Sequence, residues 1–185
     1  MICCKEIDDY LEYAKSHPKW INKERKLLIK NIVKPTLKRN DVFFDEKMYR
    51  NCLKYCEKHY YPLFPYQKFI YAFMFVDDFP LFPKFFVMMG RGNGKDGFIV
   101  PLANFFQTPL HGIKNYHVEI VANSEQQVKD TFKVAFDAMD IPEMKGKFRV
   151  TRELITNTAT KSELKYNTSN ASTKDGKRPG CLIFN

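Results

Sequence analysis

Residues 84–98 read KFFVMMGRGNGKDGF, and they set the reading of everything around them. Five apolar residues, Phe85, Phe86, Val87, Met88 and Met89, predict a buried strand. The chain then breaks into Gly90-Arg91-Gly92-Asn93-Gly94-Lys95-Asp96-Gly97, four glycines in eight positions. A helix is expected over 98–106, bent or short because it carries Pro101. Strand, glycine turn, lysine and helix form the layout of a phosphate-binding loop. Glycine reaches positive φ without strain, so successive N–H groups can converge on one anion. The helix N-terminus adds partial positive charge there, and Lys95 adds a full one. Two positions depart from G-x-x-x-x-G-K-[ST]. Met89 stands where the first glycine belongs, and Asp96 where the Mg²⁺-binding hydroxyl belongs. From these residues alone, a glycine turn that binds nothing stays open as the alternative.

The chain has 185 residues, 44% of them hydrophobic and 15% aromatic, enough for a globular core. Its net charge of +9 favours an anionic partner, most simply nucleic acid, with ordinary solvated lysine faces as the other reading. Five cysteines without a regular framework fit a reducing compartment. Cys52, Cys56 and His59 share a helical spacing but lack a second ligand pair, so the two cysteines are expected as buried helix-face thiols rather than part of a zinc site. Glu6, Asp8 and Asp9 interrupt any signal-peptide apolar region, and no run approaches the ~20 apolar residues of a membrane span.

Taken in order, the chain predicts three helices before residue 60. The first carries Ile7, Tyr10, Leu11 and Ala14 and ends at His17-Pro18; the second carries Trp20 to Val33 and is stopped by Pro35; the third covers 45–59, with Asp45 and Glu46 in its first turn. The second shows Lys23, Arg25, Lys26 and Lys30 on its other face, a solvated surface or a DNA contact. Pro65 suits the first turn of a further helix, with Gln67 beside it; a side-chain amide that donates and accepts fits an adenine edge, and a plain surface residue is the alternative. Three apolar runs, 85–89, 118–122 and 181–184, are expected as parallel strands, and Ser124 with Gln127 resembles a capping box opening a helix to 139. Residues 148–166 alternate as an antiparallel excursion does, and 167–179 are polar and turn-rich. The expected architecture is α/β: a three-layer P-loop NTPase-like core with a mainly parallel sheet and a helical N-terminal region.

Four segments together resemble one family: PLFPYQKFIYAFMF, FFVMMGRGNGKDGF, YHVEIVANSEQQVKDTFKVAFD and YNTSNASTKDGKRPGCLIF are similar to the ATPase domain of phage terminase large subunits, the motors that drive double-stranded DNA into capsids. The resemblance implies a helical region over 1–60 and an incomplete ATPase core over 61–185, with the C-terminal nuclease domain absent. It implies that Gln67 recognises adenine, with Tyr66 or Phe64 packing nearby. Gly90, Gly92, Asn93, Gly94 and Gly97 would wrap the phosphates, Lys95 would neutralise them, and Arg91 would stabilise the γ-phosphate. ATP and Mg²⁺ are the implied cofactors, with Asp96 and Asn185 at the metal. The implied partners are DNA, a portal protein and a small terminase subunit, in a ring of copies in the cytoplasm of a bacterial host. Two departures bear on activity. Asp96 replaces Ser or Thr, and Asn185 replaces the acid that ends the Walker B strand, with no following glutamate to activate water. A truncated chain that binds nucleotide weakly without turnover is therefore expected. Another P-loop DNA-dependent ATPase, of helicase or repair type, or a non-catalytic basic remnant are the alternatives.

Overall fold

The computed structural model describes residues 2–77, 82–90, 92–168 and 179–185. The chain forms two compact units: Met1–Leu53 with Leu63–Met88, and Lys54–Pro62 with Met89–Asn185. Among the described residues no helix is long and apolar enough to cross a membrane.

The first unit is helical. It holds α1 (Lys5–Ser16), α2 (Lys23–Leu28), a π-helical turn (Ile29–Val33), α3 (Lys34–Leu37), β1 (Phe43–Phe44), α4 (Glu46–His59) as far as Leu53, α5 (Pro65–Met74) and β2 (Val76–Asp77). The caps follow from side chains next to each start. Asn22 accepts from the Arg25 N–H at 2.9 Å, and Asp45 accepts from the Met48 N–H at 2.8 Å. α1 packs on α5, where Tyr10 stacks on Phe69 with ring centroids 4.3 Å apart. β1 and β2 pair antiparallel as a two-stranded ribbon.

Pro35 does not stop the second helix. Helical backbone runs from Lys23 through Pro35 to Leu37, with the π turn placed just before the proline. Pro35 opens α3 in its first turn, where a missing N–H costs least, and a π turn widens the coil ahead of it.

The second unit is mixed. It holds α6 (Lys95–Phe105), β3 (Val118–Ala122), α7 (Glu125–Met139), a 3₁₀ turn (Pro142–Met144), β4 (Phe148–Val150), β5 (Leu154–Asn157), β6 (Glu163–Thr168) and β7 (Cys181–Phe184). The five strands lie in the order β4-β5-β6-β3-β7. β3 is parallel to both β6 and β7, while β5 is antiparallel to β4 and β6, so only β5 runs against the other four. Val118, Ile120, Ala122, Ile155 and Leu164 face one side of the sheet. There they form a core with Val100 and Ala103 of α6 and with Val128, Phe132, Ala135 and Met139 of α7. The opposite side carries Glu119, whose carboxylate takes Lys165 at 2.7 Å and the Asn167 amide at 3.0 Å. Ser124 caps α7 by accepting from the Gln127 N–H at 3.2 Å.

Strands 118–122 and 181–184 and the antiparallel excursion stand as the sequence predicts. The run 85–89 does not form a strand. Phe86 and Met88 are 91% and 84% exposed. A strand exists only through a ladder partner, and the described sheet ends at β7 with none of its strands paired to this run. The helix after the glycine turn begins at Lys95, three residues earlier than expected, and continues through Pro101 to Phe105.

Candidate functional site

The glycine turn folds as its residues demand. The Asn93 N–H donates to the Gly90 carbonyl at 3.2 Å, closing a tight turn. Gly92 and Gly94 sit at φ +79° and +73°, a conformation in which a Cβ is strained. Gly94 is the residue that caps α6, so the chain enters that helix from a left-handed conformation and Lys95 and Asp96 fall in its first turn. Met89, Gly90, Gly92, Gly94, Lys95, Asp96 and Gly97 line a cavity of about 490 Å³, within the usual size of a small-ligand site. Lys95 is exposed at its mouth. Arg91 lies outside the described residues, as do residues 169–178 of the polar segment.

Gly97 is a glycine for a different reason. It is buried, and a Cβ built on it would lie 1.2 Å from the Tyr61 hydroxyl oxygen. Close packing of Tyr61 leaves no room for a side chain there.

Asp96 and Asn185, expected together at a metal, are brought together. The Thr131 hydroxyl on α7 lies 2.8 Å from Asp96 Oδ1, and it also lies 3.2 Å from the Gln127 carbonyl. Asn185 Nδ2 donates to Thr131 Oγ1 at 2.5 Å and reaches Asp96 Oδ1 at 3.4 Å. The Asn185 N–H donates to the Val121 carbonyl at 2.8 Å, which fixes the residue at the end of the β7 ladder. Asn185 Oδ1 is buried without a protein partner. A loop-helix carboxylate, a helix hydroxyl and a strand-end amide thus converge at the carboxyl ends of β3 and β7. In open α/β sheets, ligands bind at this end. An orphaned buried oxygen beside a carboxylate suits a hard cation, whose ligands are oxygens. Among the described residues there is no cluster of three or more His, Cys, Asp or Glu. Cys52 and Cys56 form no disulfide and are fully buried, as helix-face thiols are expected to be.

Phe64, Tyr66 and Gln67, the residues expected around adenine, belong to the first unit. The Phe64 and Tyr66 rings are nearly parallel, 8° apart with centroids at 6.1 Å. Gln67 is 1% exposed, so it is not a surface residue. Its Oε1 accepts from the Phe64 N–H at 2.8 Å as a cap of α5, and its Nε2 is buried without a protein partner.

Sequence reasoning missed Thr131 and a polar network beneath α6. Asn104 accepts from the Tyr55 and Tyr60 hydroxyls and donates to Gln107 at 2.9 Å. Gln107 in turn donates to the Ile155 carbonyl of β5 at 2.7 Å. Burial pushes the Tyr60 hydroxyl well above its usual range, so it stays protonated as a donor. The network ties α6, and with it the loop that precedes α6, to the sheet. The available signal was polar residues inside an apolar helical stripe: Thr131 between Val128 and Phe132, and Asn104 between Ala103 and Phe105.

No family model and no curated protein matches the sequence. Among solved structures, the fold matches the crystal structure of the HK97 bacteriophage large terminase with a TM-score of 0.61 at 17% identity. The match covers 74% of this chain and 30% of that one, so the chain spans about a third of its neighbour's length. At that identity the likeness is one of fold: an α/β core with an open, mostly parallel sheet, of the kind found in a phage large terminase.

Proposed function

We propose that the chain is the ATP-binding part of a DNA-packaging motor of the terminase large-subunit type. The observation that carries this reading is the meeting of the Gly90–Gly97 cavity, Lys95 and the Asp96–Thr131–Asn185 corner at the ligand-binding end of a terminase-like sheet. In this reading the loop amides and the α6 N-terminus hold the phosphates, and Lys95 neutralises the outer ones. By the resemblance, Arg91 would serve the terminal phosphate and Gln67 would serve the adenine. Asp96 and Asn185 Oδ1 would hold Mg²⁺, which supplies charge stabilisation along the phosphate chain. Thr131 keeps Asp96 turned toward the strand end. Among the described residues Asp96 is the carboxylate of this corner, and it takes hydrogen bonds from Thr131 and Asn185. Double-stranded DNA, a portal and a small subunit are the proposed partners of the motor.

The test is a thermal melt of the intact chain with ATP and Mg²⁺. A ligand present at 100 times its Kd adds about 2.7 kcal/mol of stability. Wild type should show a rise in melting temperature that depends on both ligands, and Lys95→Ala should lose most of it. No rise in wild type, or an equal rise in Lys95→Ala, removes the nucleotide reading and leaves a basic α/β domain.

A further inference from the structure

Two positions at which the chain departs from a phosphate-binding motif meet in space. Asp96 stands where the loop hydroxyl belongs, and Asn185 where the strand-end acid belongs. They are 89 residues apart in the chain, yet Asn185 Nδ2 reaches Asp96 Oδ1 at 3.4 Å. Either change alone would upset the usual pair of one carboxylate and one neutral oxygen around Mg²⁺. Asp96 alone would set two carboxylates face to face, and Asn185 alone would leave none. Together they restore the pair, with the carboxylate on the loop side and the neutral oxygen on the strand side.

The surroundings suit that arrangement. Asp96 lies in the first turn of α6, where the helix dipole favours negative charge. Thr131 on α7 sets its hydroxyl 2.8 Å from Asp96 Oδ1, so the corner keeps a hydroxyl although the loop has lost its own. Asn185 turns its donor toward Thr131 and Asp96, and its Oδ1 is buried without a protein partner. A clasp of hydrogen bonds alone would desolvate that acceptor for no return. An amide carries a donor and an acceptor on one carbon. Its nitrogen holds Asp96 when no cation is present, and a half-turn brings Oδ1 to the same side. An aspartate at 185 has no such donor.

We propose that the loop and the strand end have exchanged their metal-binding groups, so that Asp96 and Asn185 work as one coupled pair, Asp96 as the charged ligand of a divalent cation and Asn185 as the neutral one. This exchange rests on the nucleotide reading and specifies how that site takes its metal. Its signature is mutual dependence. The residue that the usual motif calls for is harmful at either position alone and acceptable at both together.

The test is a set of thermal melts and ATP titrations of the intact chain, each run with Mg²⁺ and with EDTA. Asp96→Asn keeps the shape and one oxygen but removes the charge. It should melt as wild type does in EDTA and lose at least ~10-fold of the Mg²⁺-dependent gain in ATP affinity. Asp96→Thr should lose that gain as well, and Asn185→Asp should melt lower than wild type in EDTA. The exchange variant Asp96→Thr/Asn185→Asp should recover both the EDTA melting temperature and most of the Mg²⁺ gain. Three results overturn the exchange while the nucleotide reading stands: ATP binding by wild type that ignores Mg²⁺, a Mg²⁺ gain that survives Asp96→Asn, or an exchange variant no better than Asp96→Thr. Wild type that binds no ATP under either condition overturns both.

Discussion

β3 and the segment 85–89 are both five residues long and largely apolar, yet the molecule treats them as opposites. Every residue of β3 is at most 6% exposed, with β6 on one side and β7 on the other. The segment 85–89 has no ladder, and Phe86 and Met88 stand almost wholly in water. β7 is the intermediate case, with one ladder, half-buried Cys181 and Ile183, and Phe184 77% exposed. The series teaches that an apolar run acquires burial from the edges offered to it. Backbone groups need partners before side chains can share a face. The largest effect should therefore separate the extremes. Ile120→Ala, in the centre of β3, is expected to cost about 3–4 kcal/mol in urea unfolding. Phe86→Ala should stay within about 0.5 kcal/mol, as an exposed substitution does. Equal losses would mean that 85–89 is core after all.

Next in size is the loop's own packing. Gly97→Ala places a methyl group on the Tyr61 hydroxyl and should cost about 1–3 kcal/mol through overpacking. In a Tyr61→Ala background the clash is gone, and the same change should be neutral or stabilising, because Ala is the better helix residue by about 0.5–1 kcal/mol. A double-mutant cycle measures the difference. Additive losses would show that Gly97 is constrained by something other than Tyr61, and a phosphate-approach role would regain ground.

The parts of the fold that the sequence made legible are those where local chemistry decides. Gly92 and Gly94 take positive φ in the turn predicted for them, Ser124 caps its helix, and Val118–Ala122 forms a strand. What stayed hidden depends on distant partners. Gly97 looked like one more loop glycine, and only the fold brings Tyr61 onto it. Thr131 looked like a neutral helix residue, and only the crossing of α6, α7 and the end of β7 sets it between Asp96 and Asn185. Pro35 carried a stop signal that a π turn absorbed.

A smaller effect is expected where β7 ends. Asn185→Asp would set a second carboxylate beside Asp96, whose Oδ1 now lies 3.4 Å from Asn185 Nδ2. Without a cation, repulsion and a lost hydrogen bond should lower stability by about 1 kcal/mol. Millimolar Mg²⁺ should restore more of that loss than it adds to wild type, since two carboxylates bind a hard cation better than one. A variant that is destabilised yet blind to Mg²⁺ would argue that the corner is a hydrogen-bonded clasp only.

The mildest test leaves the sequence unchanged and asks how firmly a one-ladder strand is held. Burial pushes the Cys181 thiol up to about 11, so at pH 8 roughly one molecule in a thousand carries the reactive thiolate there. Cys3 is exposed, while Cys52 and Cys56 are buried. With a thiol reagent at pH 8, Cys3 should react first, and Cys181 should react on the slow timescale of Cys52 and Cys56. Raising the pH toward 11 should speed Cys181 labelling as the thiolate fraction grows. If Cys181 instead reacts as fast as Cys3 at pH 8, β7 leaves the sheet readily. Its behaviour would then sit with residues 85–89 rather than with β3, and the two hydrogen-bonded edges of β3 would differ in strength.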